Sequence, residues 1–148
     1  MAVEKSNNDK KRNEAVRQLD IRNTQMRQRL VTFFQDNPGL AFSENEIRQE
    51  LDPAFDRTTV YRTIKTLLEK VFIHQIVCEN GVLKYALNEK KDNYLPHVHF
   101  QCVQCQRVYC LKECKVQTPE LPDAFEAQSY QFLVKGNCHH CPDCINND

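Results

Sequence analysis

From residue 11 to residue 70 apolar positions recur every three or four places, and beyond residue 70 they alternate. Helical spacing predicts helices in the first stretch, and the change to a period of two predicts strands in the second. A first helical segment covers 11–19, with Val16 and Leu19 on one side. Thr24 is placed as the N-cap of a second helix, whose stripe is Met26, Leu30, Val31, Phe33 and Phe34 and whose stop is Asn37-Pro38-Gly39. Ser43-Glu44-Asn45-Glu46 has the form of a capping box, opening a short helix through Ile47 and Leu51 that Asp52-Pro53 ends. Asp56 or Thr58 then starts a longer helix carrying Val60, Ile64, Leu67 and Leu68. Val71 to Val77 and Val82 to Leu87 read as two strands joined by the hairpin signal Glu79-Asn80-Gly81.

Helix, short helix, turn, longer helix and hairpin is the order of a winged helix-turn-helix, in which the longer helix enters a major groove. The face of that helix opposite its apolar stripe carries Arg57, Thr58, Thr59, Tyr61, Arg62 and Lys65. Guanidinium and ammonium groups there can neutralise phosphates, and the hydroxyl and ring groups can meet base edges or thymine methyls. Further on, Leu95 to Gln101, Arg107 to Leu111 and Ser129 to Lys135 read as three more strands, the last ending at Gly136.

Between and after those strands lie the thiols. Cys102-Val-Gln-Cys105 is answered by Cys138-His-His-Cys141-Pro-Asp-Cys144, and His97 and His99 stand just upstream. Two thiol knuckles in one small unit supply the four thiolates of a structural Zn²⁺. Pairing as disulfides is disfavoured, because the first ~30 residues show no apolar leader and no ~18-residue apolar run occurs. The expectation is a soluble, cytoplasmic protein with no membrane partner. His97 and His99, as alternate residues of a strand, point to one side and read as ligands of a second site.

Formal charge balances at 20 Lys/Arg against 20 Asp/Glu, but residues 1–92 hold 16 against 14 and residues 93–148 hold 4 against 6. The shift supports a mildly basic helical unit over 1–89, a polar hinge at 90–93, and a cysteine-rich unit over 94–148. The expected fold class is α+β, a winged helix-turn-helix followed by a small α/β zinc-stabilised unit. A thiol redox enzyme would need its C-x-x-C at a helix N-terminus in a βαβ setting, and no Ser/His/Asp or paired-carboxylate constellation stands out, so no enzyme is expected.

Thr59-Val60-Tyr61-Arg62, then His97-x-His99-x-x-Cys102-x-x-Cys105 and Gly136-x-Cys138-x-x-Cys141, resembles the ferric uptake regulator (Fur) family from about Arg22 to the last cysteines. The resemblance implies a homodimeric, metal-dependent transcriptional regulator, usually a repressor, whose winged helix binds an AT-rich inverted repeat in double-stranded DNA. It implies that Tyr61 contacts thymine, Arg62 and Arg27 contact phosphates, and Arg22 reaches a minor groove. Arg57 and Thr59 join them from the helix face. It assigns Cys102 and Cys105 to half of the zinc site, with Cys138, Cys141 and Cys144 all standing for the other half.

The chain departs from that family at its regulatory site. Positions where the family carries a histidine before the third helix and a wing carboxylate are Ala41 and Ala86, and the carboxylate after the knuckle is Cys110. Two imidazoles and a thiolate favour Zn²⁺ over Fe²⁺ or Mn²⁺. His74 is the candidate fourth ligand, Cys78 a weaker one, and Cys114 either assists or is spare. Thr118-Pro119-Glu120-Leu121-Pro122 interrupts the family's long dimer helix, since an interior proline costs about 3 kcal/mol, leaving at most one or two turns. Two other readings share these residues: a zinc-stabilised DNA-binding or adaptor protein that does not sense metal, and a peroxide or thiol redox-sensing regulator.

Overall fold

The computed structural model describes residues 10–11, 13–89 and 96–145. The proposed hinge at 90–93 and the expected strand start at Leu95 lie outside them. After a helical segment over 13–18 come helix α1 (Gln25–Asp36), strand β1 (Leu40–Ser43), helix α2 (Glu44–Glu50) and helix α3 (Arg57–Glu69). Strands β2 (Ile73–Val77), β3 (Leu83–Leu87), β4 (His97–Cys102), β5 (Val108–Lys115) and β6 (Phe132–Gly136) follow, then a single turn of helix, α4 (Pro142–Ile145).

The helix starts are where the side chains require them. Thr24 Oγ1 accepts from the Arg27 N–H, and Asp56 accepts from the Thr59 N–H. Ser43 and Glu46 close a reciprocal capping box at α2. Helix α3 ends in an αL turn: the Val71 N–H donates to Leu68 O, the Phe72 N–H to Leu67 O, and Val71 sits at φ 56°. That turn consumes Val71 and Phe72, so β2 begins at Ile73 rather than at the expected Val71. Asn80 and Gly81 both take positive φ in the turn between β2 and β3, as the hairpin signal predicts.

Met26, Leu30, Val31, Phe34, Ile47, Val60, Ile64 and Leu67 form one buried cluster with Val16 and Leu19, packed on Ile73, Tyr85 and Leu87 of the hairpin. Strand β1 was not visible in the sequence pattern, and it reorganises the molecule. It pairs antiparallel with β3 through Ala41↔Ala86 and with β5 through Ala41↔Val108. The hairpin and the cysteine-rich strands thus belong to one six-stranded sheet, in the order β2-β3-β1-β5-β4-β6. Strand β6 joins β4 in parallel, with Cys102 opposite Gly136, and starts at Phe132, three residues after the expected Ser129. Strand β5 runs on to Lys115, past the expected Leu111. No helix interrupts residues 116–131, in keeping with the prolines there.

The sheet is curled until its ends meet. Laid flat, β2 and β4 would stand four strand spacings apart, about 19 Å at ~4.8 Å each. Yet His74 Nε2 of β2 lies 3.0 Å from His99 Nε2 of β4. At the seam the Gln131 carboxamide copies a strand, accepting from the Val77 N–H at 2.8 Å and donating to Val77 O at 2.7 Å. Lys135 pairs with Glu79 beside it. The concave face is lined by Ala41, Ile76, Cys78, Ala86, Val108 and Cys110.

Candidate metal centres and nucleic-acid face

The first cluster is built by the β4–β5 turn and the chain after β6. Cys102 ends β4, Cys105 lies in the turn, Cys138 follows β6, and Cys141 and Cys144 flank and enter α4. Sulfur separations are 3.4 Å for Cys102–Cys144, 3.8 Å for Cys105–Cys138 and 3.5 Å for Cys138–Cys144. Thiolates at ~2.3 Å from a tetrahedral Zn²⁺ stand about 3.8 Å apart, so these residues fit the ion with small adjustments. The sulfurs of Cys102, Cys105, Cys138 and Cys144 all lie within 4.8 Å of one another. Cys141 is the fifth thiol, 3.8 Å from Cys138 but only 2.8 Å from Cys144. As placed, Cys141 and Cys144 stand closer together than two ligands of one tetrahedral ion. The thiols shift in opposite directions: the His140 backbone N–H, against the cost of burial, brings Cys138 down to about 5, while burial pushes Cys105 up to about 11. Cys144 is pushed up, first by its hydrogen bond with Cys141.

The second cluster draws on three strands. His74 of β2, His97 and His99 of β4 and Cys110 of β5 bring their donor atoms within 4.8 Å of each other. Cys110 Sγ is 3.6 Å from His74 Nε2. His99 is buried, and its Nδ1 has no hydrogen-bond partner among the described residues. Ala41 and Ala86 occupy the sheet positions between β2 and β5, and their small side chains leave the concave face open for these rings to meet. Asn88 sets the His74 tautomer. Its Nδ2 donates to Val71 O at 3.0 Å, so its Oδ1 faces His74 Nδ1 at 2.7 Å and accepts from it. Nε2 of His74 is thereby left as a lone pair aimed at the cluster.

Burial disfavours the charged forms of three of these groups. It lowers His74 to about 4 and His99 to about 3, aided by the neighbouring imidazoles, and pushes the Cys110 thiol up to about 12. The nearby Glu89 carboxylate is paired with Lys112 at 3.0 Å. Three imidazole nitrogens and one sulfur are the donors this pocket offers. Cys78 is buried on the same face but outside the four-donor group, and Cys114 is exposed.

The third feature is the outer face of α3. Arg57, Thr58, Tyr61, Arg62 and Lys65 are all exposed there, with the Lys65 ammonium 5.4 Å from the centre of the Tyr61 ring. Arg57 Nε meets Glu44 at 3.2 Å. Thr59 is half-buried on the same face, and its hydroxyl donates to Asp56 at 2.7 Å, which serves the cap and leaves its oxygen free to accept. Arg22 is exposed, and Arg27 uses Nη1 to hold the Arg22 carbonyl at 2.8 Å. Sequence reasoning passed over Asn88 and Gln131, which carried no signal beyond being polar.

A helical unit on a curled mixed sheet, with a thiol cluster and an imidazole–thiol cluster, defines an α+β protein equipped for metal. Residues 18–134 match the model of the ferric uptake regulator family, and the chain belongs to that family. It is 27% identical over 97 residues to the ferric uptake regulation protein of Bacillus subtilis, a match spanning 63% of this chain and 64% of that relative. The fold is similar to the Vibrio cholerae ferric uptake regulator, with a TM-score of 0.60 at 16% identity, covering 85% of this chain and 98% of the other. It is also similar to a zinc uptake regulator solved with zinc and DNA, with a TM-score of 0.58 at 20% identity, over 86% and 87% of the two chains.

Proposed function

We propose that the protein is a metal-dependent, sequence-specific transcriptional regulator, a cytoplasmic homodimer that represses from an AT-rich inverted repeat. The observation that carries this reading is the His74/His97/His99/Cys110 pocket, whose donors come from both the hairpin and the cysteine-rich strands. Helices α2 and α3 with the β2–β3 hairpin form the winged helix-turn-helix, and Arg22, Arg27, Arg57, Tyr61 and Arg62 supply its contacts with DNA. Cys102, Cys105, Cys138 and Cys144 hold a structural Zn²⁺, with Cys141 beside the last vertex. His74, His97, His99 and Cys110 would hold a Zn²⁺ at the second pocket, which would supply the positive charge that draws the imidazoles and the thiolate together. His74 moves with the wing, and Asn88 aims it. With His74 already 3.0 Å from His99 and 3.6 Å from Cys110, an ion held there would lock the hairpin against β4, so that the two recognition helices of a dimer meet successive major grooves together. The exposed side chains of Leu121, Phe125, Tyr130 and Val134 support self-association of the cysteine-rich units.

Gel shift on AT-rich inverted repeats tests this reading, with zinc kept in the thiol cluster and Zn²⁺, Fe²⁺ or Mn²⁺ titrated separately. Zn²⁺ should tighten binding at the lowest free concentration, and binding should weaken steeply with salt. Equal affinity with and without the second ion would overturn sensing. That outcome would favour a metal-indifferent DNA-binding protein, a reading supported by the Gln131 and Lys135 contacts that hold the seam by themselves.

A further inference from the structure

On β3, Tyr85 and Leu87 pack against the helices, while Lys84 and Ala86 face the opposite, concave side. Lys84 is only 5% exposed there. Its ammonium donates to Glu46 Oε1 at 3.2 Å and to the Gln106 carbonyl at 2.9 Å. Both partners are themselves fixed. Glu46 is the carboxylate of the α2 capping box, and its other oxygen accepts from the Ser43 N–H at 2.6 Å.

Gln106 follows Cys105 directly and holds the αL conformation at φ 61°. Its N–H donates to Cys102 O at 3.0 Å, its Nε2 to Val103 O at 2.8 Å, and its Oε1 accepts from Gln101 Nε2 at 3.2 Å. The carbonyl that Lys84 meets is therefore part of the thiol knuckle, as rigid as the knuckle itself.

A buried ammonium loses hydration, and an apolar side chain of similar length in such a place is often neutral or better for stability. Ile76 stands opposite Lys84 on β2, so a methionine would find apolar company. Stability alone does not explain the charge here. Geometry does: the two partners lie on different units, and one ammonium spans them.

We propose that Lys84 is a positioning residue that sets helix α2 from the Cys102–Cys105 knuckle, and through α2 the recognition helix α3. Helix α3 follows α2 because Ile47 packs in one cluster with Val60 and Ile64, with Glu44 and Arg57 paired outside. The inference rests on the DNA-binding reading for its consequence, but not for the tether itself.

The test uses the full zinc-loaded chain and the variants Lys84→Met, Lys84→Arg, Glu46→Gln and the Met/Gln double. Losing one charge-assisted contact should speed amide exchange at residues 43–47 about tenfold in Lys84→Met and Glu46→Gln. Exchange in β4 and β5 and the zinc content should stay as in wild type. On duplexes enriched from a random pool by the wild-type protein, either single variant should bind roughly tenfold more weakly, and the double no more weakly than a single. Lys84→Arg, which keeps the cation, should restore most of the affinity.

Unchanged exchange at 43–47, or losses that add in the double variant, would overturn the proposal. Should Lys84→Met not fold, Glu46→Gln decides, since a glutamine still completes the capping box. If the wild-type protein enriches no duplex, the DNA-binding reading fails while the exchange data still decide the tether.

Discussion

The thiol cluster and the imidazole cluster lie on the same sheet and are built in opposite ways. The first gathers its thiols from the β4–β5 turn and the segment after β6, with Cys138 brought down to about 5 and Cys105 pushed up to about 11. The second gathers four residues from three strands, and burial lowers His74 and His99 to about 4 and 3 and pushes Cys110 up to about 12. The halves of the first site, Cys102–Cys105 and Cys138–Cys144, meet where β6 pairs with β4 and Cys102 stands opposite Gly136, so that cluster is tied to the folding of those two strands. A site assembled across a curled sheet exists only once the curl exists, so it reports on that curl. The difference teaches which cluster is suited to structure and which to response.

The largest expected effect follows from breaking the first cluster. Cys102→Ser should abolish zinc binding and cooperative folding of the β4–β6 region, since structural zinc contributes on the order of 10 kcal/mol in small domains. Zinc equivalents and circular dichroism would check this, and a cooperative melt with one zinc retained would erase the contrast. At the second cluster, His99→Ala should weaken metal affinity more than a hundredfold while leaving the structural zinc in place, as read by competitive chelator titration. Asn88→Ala, which frees the His74 ring, should cost roughly 10–100-fold there.

The close pair Cys141 and Cys144 sharpens the comparison further. If either thiol completes the set, Cys141→Ser should keep one tight zinc, and Cys144→Ser should weaken it by about tenfold, far less than Cys102→Ser. Equal and complete loss in both would mean that five thiols are needed.

The smallest effect is in pH. His74 and His99 titrate lower in the folded protein than the ordinary 6.5. The unfolded chain therefore binds more protons below that value, and their contribution to stability is full above about 6.5 and lost as pH falls towards 4. With the imidazole site stripped of metal, the melting temperature should fall by a few degrees across that window. The His99→Ala variant should show a shallower fall.

Much of this was legible along the chain. Capping residues at Thr24, Ser43 and Asp56 and the hairpin turn at Asn80-Gly81 announced the helical unit, because each acts within a few residues of itself. Strand β1 escaped notice because Leu40-Ala41-Phe42-Ser43 is too short to show alternation, and its partners lie some forty to seventy residues away. Asn88 and Lys84 escaped for the same reason, since nothing nearby in sequence marks a partner across the sheet.

The residues themselves determined the kind of chemistry: eight thiols with two tight spacings, two histidines on one side of a strand, and a cationic helix face. Those properties are local, and local geometry suffices to express them. Which donors share an ion, whether His74 joins them, and how a lysine reaches from wing to knuckle were decided only when the sheet curled and brought distant strands within bonding distance. Contacts of that kind depend on the summed twist of six strands, and no short stretch of the chain encodes it.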